Sequence, residues 1–257
     1  MTRPTTFTLN GSNSLYSGLL AAYLGNGVTS SSGPGNCPES VSGGTGAFSG
    51  YSSTPWLQDS TLGRWGLSYS GISGYITVPA ITISGAFSAS SWFKCSSYHL
   101  DIPVDFAGHG IAVGGLSGAG AGTGPYSGVI SPDSNYSYHY SGSAPTLSAG
   151  TYYSLIATYD GSSTWTWYVN GSAYSCGSSN TYNSSLNANR IGWSNGGSAC
   201  SLWDAMLWNR VLTAPEIAAV SSQSNSVLYT VGGSNLILPP ATFNPSWAAA
   251  NRQIGVR

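Results

Sequence analysis

Charge is what this sequence has least of. Of its 257 residues only eight are Asp or Glu and seven are Lys or Arg, which is 6 % of the chain for a net charge of −1. An ordinary globular domain carries about 25 %. One lysine, Lys94, and a few scattered arginines leave no basic stripe to neutralise phosphates, which excludes nucleic-acid binding of the usual electrostatic kind. No apolar run approaches the roughly 18 residues that would suggest a membrane span. Disorder needs low hydrophobicity with high net charge, and a chain that is 41 % hydrophobic and almost neutral has neither. Charge pairs four residues apart are nearly missing while Gly, Ser and Thr abound, which argues against a long helical bundle. The four cysteines (Cys37, Cys95, Cys176, Cys200) include no C-x-x-C pair, so a zinc ribbon or thioredoxin motif is absent.

What is present is small polar residues and rings: 35 Gly, 17 Tyr and 9 Trp. Solubility must come from Ser, Thr, Asn and Gly. Near-neutral proteins tend to associate, so the composition suits a homo-oligomer in an assembly or a surface-displayed protein; a Ser/Gly-biased secreted protein is the alternative. Met1 to Asn10 show no apolar leader, which reads either as release by lysis or assembly or as a leader already removed.

Thr29–Gly46 and Gly114–Gly124 read as loops, dense in small residues. Between and beyond them lie alternating segments that predict strands: Gly74–Pro79, Phe87–Lys94, Tyr152–Tyr159, Thr164–Val169, Arg190–Trp193 and Leu202–Trp208. Trp165, Trp167 and Val169 share one face of the clearest strand, and Trp208 reads as core with them. Asp160-Gly161 and Asn170-Gly171 predict tight hairpin turns. Thr213-Ala-Pro-Glu216 is a capping box opening a helix to about Ser222. Val227–Arg257, with Pro239, Pro240 and Pro245, reads as an extended arm. The division is residues 1–14 as an N-terminal extension, 15–222 as a β-sandwich and 223–257 as the arm.

The order of these pieces resembles the laminin-G-like branch of the concanavalin A-like jelly-roll superfamily. Gly74–Pro79, Phe87–Trp92, Gly150–Gly161, Trp167–Gly171, Ile191-Gly192 and Leu207–Ile217 carry the resemblance, the last most specifically. It implies an all-β fold of two antiparallel sheets with one short C-terminal helix. The leaderless start and Pro-rich tail also resemble laminin-G-like proteins of tailed bacteriophages. That implies a capsid decoration, tail or fibre component whose arm binds other virion subunits. The alternative is an extracellular carbohydrate-binding module or adhesin, with a carbohydrate-active enzyme third.

Glycosidases need two carboxyl groups about 5–10 Å apart. Glu39 lies in the Gly/Ser loop, Glu216 caps the helix, and Asp204 reads as alone on its strand beside Leu202 and Met206. The string Gly192-Trp-Ser-Asn-Gly196 lacks the helix and following histidine of a nucleophile elbow, so Ser194 reads as a loop residue and no catalytic residue is assigned. His99, Asp101 and Asp105 share a face if extended and could ligate a divalent metal; a polar loop around Pro103 is the other reading. Calcium is implied only by the family, with Asp133 and Asp160 as turn residues. Tyr136, Tyr138 and Tyr140 line one face of a strand, either as a glycan platform or as cross-strand aromatic pairs. If cysteines are oxidised, Cys176–Cys200 is the first pairing, since both lie beside C-terminal strands; buried free thiols are the alternative.

Overall fold

The computed structural model describes residues 8–9, 11–23, 25, 28, 30–33, 35–51, 55–62, 64–70, 74–97, 101–106, 109–113, 127–130, 138–139, 145, 147–178, 186–194, 199–222 and 229–230. Its strands in chain order are β1 (Thr8–Leu9), β2 (Leu19–Tyr23), β3 (Asn36–Pro38), β4 (Thr45–Ser49), β5 (Trp56–Asp59), β6 (Arg64–Ser70), β7 (Tyr75–Ile83), β8 (Phe87–Ser97) and β9 (Asp101–Phe106). Then follow β10 (His109–Val113), β11 (Ser127–Ile130), β12 (Tyr138–His139), β13 (Tyr152–Tyr159), β14 (Thr164–Val169), β15 (Ser172–Ser178), β16 (Leu186–Ser194), β17 (Ala199–Trp208), helix α1 (Ala214–Ser221) and β18 (Tyr229–Thr230).

Two antiparallel sheets stack. Sheet I runs β15-β14-β13-β8-β17-β6-β5, with β2 beside the second half of β17; sheet II runs β12-β11-β10-β9-β16-β7-β4-β3. Alternation along each strand makes the core. Sheet I turns Phe87, Phe93, Leu155, Tyr159, Trp165 and Trp167 inward against Ile76, Ile83 and Ile191 of sheet II. Phe87 meets Trp165 edge-on at 5.5 Å between centroids, a favoured geometry for rings.

A second apolar cluster lies on the outer face of sheet I. Ile156, Met206 and Trp208 are roofed there by Leu15, Leu212, Ile217 and Val220. The Trp208 indole donates to the Leu15 carbonyl at 2.7 Å and the Trp92 indole to the Val220 carbonyl at 3.2 Å, so each ring is buried with its polar end satisfied. The capping box of α1 forms: Glu216 accepts the Thr213 amide and hydroxyl, both at 2.9 Å. Asn170 and Gly171 both take positive φ, 51° and 82°, as a type I′ turn requires. The Asp160-Gly161 connection is longer than a two-residue hairpin: β13 ends at Tyr159 and β14 starts at Thr164. Asp160 Oδ1 closes it by accepting the amides of Ser162, Ser163 and Thr164.

Four more expectations change. The stretch 29–46, read as a loop, contains β3 and the start of β4. Its glycine is needed inside a strand, because a Cβ on Gly46 would meet Ile76 at 2.3 Å. The tail, read as an extended arm, includes β18, which pairs with β1 through Thr8↔Thr230 and Leu9↔Tyr229. Leu202 and Met206 do not share a face. Asp204 inserts as a bulge with φ 50°, so Leu202 joins the inner core and Met206 the outer cluster.

The fourth is the disulfide. Cys200 bonds Cys95, not Cys176. Cys95 and Cys200 are Cα partners on β8 and β17. Cys176 lies on β15, separated from β17 by β14, β13 and β8, which puts it roughly 19 Å away at the usual strand spacing and beyond bridging reach.

Candidate functional site

The five acidic residues with described side chains are placed for structure. Buried Glu39 ties β2 to the turn after β3: Oε1 accepts the Ala22 and Val41 amides at 2.9 and 2.7 Å, and Oε2 accepts the Ser42 amide and hydroxyl at 2.5 and 2.6 Å. Glu216 takes a two-pronged grip from Arg210 at 2.7 and 2.8 Å. The Arg210 guanidinium, working against desolvation and helped by Thr213 and Ser14, lowers the Glu216 pKa to about 2. Desolvation pulls the Asp160 pKa up, but the amides of Thr164, Ser162 and Ser163 outweigh it and hold the carboxyl well below the ordinary range. Asp59 accepts the Thr61 and Leu62 amides at 2.8 and 2.7 Å. Asp204 is the buried bulge residue.

Cys37 is a buried free thiol. Desolvation first, and the Glu39 carboxylate second, push the Cys37 thiol and the Tyr23 phenol above their ordinary pKa values. Such a thiol stays protonated and unreactive.

Of the residues singled out in the sequence, His99, Asp133, Tyr136 and Tyr140 lie outside the described residues. Asp101 and Asp105 fall on β9, as an extended segment would place them, and Asp105 stands opposite Arg190 of β16. Tyr138 is on β12 at the edge of sheet II, opposite Ile130. No group of three or more His, Cys, Asp or Glu able to hold a metal occurs among the described residues. In the turn after β13, Asp160 Oδ1 accepts three amides and Oδ2 the Ser162 hydroxyl at 2.9 Å. Ser194 ends β16. No helix of the described residues is long and apolar enough to cross a membrane.

One polar cluster escaped sequence reading. Among the described residues, helix α1 and the turn at Ser14–Tyr16 roof the half of the outer face of sheet I around Ile156 and Trp208. On the other half, three strands bring Asp59 (β5), Lys94 (β8) and Tyr152 (β13) together. The Tyr152 hydroxyl donates to Asp59 Oδ2 at 2.5 Å and accepts from Lys94 Nζ at 3.1 Å. Lys94 Nζ also sits 4.2 Å from the Tyr152 ring centroid, in cation–π range. Buried Trp203 lies beside this ring, centroids 5.8 Å apart, and packs directly over Gly66, where a Cβ would meet the indole at 2.2 Å. Leu57 is exposed on the same face. Tyr152 and Lys94 are register partners, but Asp59 is far off in sequence, so no local motif announces the trio.

Two stacked antiparallel sheets with one short closing helix define a concanavalin A-like sandwich. A laminin-G family model described as "Concanavalin A-like lectin/glucanases superfamily" matches residues 70–218, more than half of the chain, and the protein belongs to that family. No curated protein matches the chain by sequence. Among solved structures, domain 4 of an extracellular arabinanase from Geobacillus stearothermophilus, in complex with arabinotriose, is similar with TM-score 0.53 and 17 % identity, covering 79 % of this chain and 98 % of that one. The binding domain of Paraclostridial Mosquitocidal Protein 1 gives TM-score 0.52 at 12 % identity, covering 81 % of this chain and 52 % of that one. A mutant Trypanosoma rangeli sialidase with trans-sialidase activity gives 0.50 at 15 % identity over 84 % of this chain. This chain spans 34 % of the sialidase and about half of the mosquitocidal domain. At these identities the likeness is one of fold.

Proposed function

We propose that this protein is a non-enzymatic glycan-binding module displayed on a virion as a decoration, tail or fibre component. Its carrying observation is that Glu39, Asp160 and Glu216 are each tied up in holding turns or the helix cap, while Asp59 holds a turn through Oδ1 and faces only Tyr152 through Oδ2. A glycosidase needs a facing acid and base or nucleophile, and these four sit in separate parts of the fold. Glycan as ligand is supported by family membership and by the arabinotriose-bound arabinanase domain of similar fold. Display in an assembly is supported by the ion-poor composition. The part of the arm after β18, residues 231–257, joins neighbouring subunits by burying side chains in a groove or adding a strand to an edge.

A second reading is a free extracellular carbohydrate-binding module. The Cys95–Cys200 bond favours it, because disulfides persist in oxidising compartments.

Three assays separate the readings. Deleting residues 231–257, which spares β18, abolishes assembly under the first reading while the sandwich stays soluble and binds glycan. Unchanged assembly would leave the second. Release of reducing sugar from any polysaccharide at catalytic enzyme concentration would refute the non-enzymatic reading, and a blank glycan array would refute the lectin reading.

A further inference from the structure

We propose that the half of the outer face of sheet I that no described residue of α1 roofs is a subsite for a neutral saccharide, formed by Tyr152, Lys94 and Asp59 over the floor of Trp203. This rests on the glycan-binding reading and says where the sugar sits.

Lys94 Nζ and Asp59 Oδ2 both bond the Tyr152 oxygen, which places them within about 6 Å of each other. A donor and an acceptor that close can bond adjacent hydroxyls of one ring. Lys94 is bonded through one of its three protons, and Asp59 keeps lone pairs beyond those used by Tyr152 and the two turn amides. Both side chains are half-buried, so a bound hydroxyl faces charged groups in partly desolvated surroundings. Lys94 is the only lysine in the chain, and it lies on the half-face that the helix leaves open.

The parts are rigid before any ligand arrives. Tyr152 is fixed by two hydrogen bonds and by Trp203, and Trp203 by its close seat on Gly66. The Trp203 Nε1 has no hydrogen-bond partner among the described residues. Leu57 adds exposed apolar surface of the kind that covers the C–H face of a sugar. One ammonium and one carboxylate balance, so the described side chains favour an uncharged sugar over an anionic one.

The test uses the full oxidised chain. Neutral oligosaccharides, arabinotriose among them, and sialyllactose as the anionic comparator are titrated by calorimetry against wild type, Lys94→Met, Tyr152→Phe and Tyr152→Ala. Thermal melts check that each variant folds. Binding of a neutral oligosaccharide that weakens about tenfold or more in Lys94→Met and Tyr152→Ala, and less in Tyr152→Phe, supports the subsite. Neutral binding unchanged in folded Lys94→Met and Tyr152→Phe overturns the subsite while the lectin reading stands. Binding of sialyllactose alone overturns it as well. Absence of any glycan binding overturns both.

Discussion

Glu216 is the perturbation whose cost is best defined by the structure. Its carboxylate receives both arms of Arg210 and the amide and hydroxyl of Thr213, while Arg210 reaches the Ser17 and Ser14 carbonyls at 2.7 and 2.8 Å. The pair therefore joins the helix, the segment that follows β17 and the N-terminal turn. Its pKa falls from 4.5 to about 2 on folding, equivalent to about 3 kcal/mol. Arg210 is 26 % exposed, which trims the figure to about 2 kcal/mol. A folded pKa below the unfolded one gives stability that is complete above 4.5 and lost as pH falls toward 2. Glu216→Gln should therefore lower unfolding free energy by about 2 kcal/mol at pH 7, read from urea titrations of oxidised protein. The gap between variant and wild type should narrow through pH 4 and 3. The comparison cancels Asp160, whose pKa is also depressed and which titrates in both proteins. A deficit that stays constant from pH 7 to pH 2.5 would refute the electrostatic account and leave only lost packing.

Three further outcomes follow from the geometry. Cys95→Ser/Cys200→Ser should cost up to about 4 kcal/mol, since the bond closes a loop of 105 residues, and calorimetric melting that is unchanged would contradict this. Gly66→Ala should destabilise by about 2 kcal/mol and alter tryptophan fluorescence, because the new Cβ falls on the Trp203 indole. Trp208→Ala should cost about 4 kcal/mol by emptying the outer cluster and stripping the Leu15 carbonyl of its donor; a loss below 1 kcal/mol would show that the cluster collapses around the gap.

Elements built on local rules were legible. Period-two alternation around Trp165 and Trp167 located β14, the Asn170-Gly171 dipeptide fixed its turn, and Thr213 with Glu216 opened the helix. Pairings across the fold were not. The Cys95–Cys200 bond depends on β17 lying beside a strand some hundred residues earlier, and nothing near either cysteine encodes that. The strands at 36–38 and 45–49 were hidden because Gly46 is small to make room for Ile76, which looks like loop composition when read alone. Asp59, Lys94 and Tyr152 converge from three strands in the same way. Alternation also failed at Asp204, where a single inserted residue shifts the phase of every side chain after it.

The short ladder between β1 and β18 sets the entry and the exit of the sandwich on neighbouring backbones. A unit whose two doors open side by side can be spliced into the loop of a host polypeptide without stretching it, and removed again leaving a small scar.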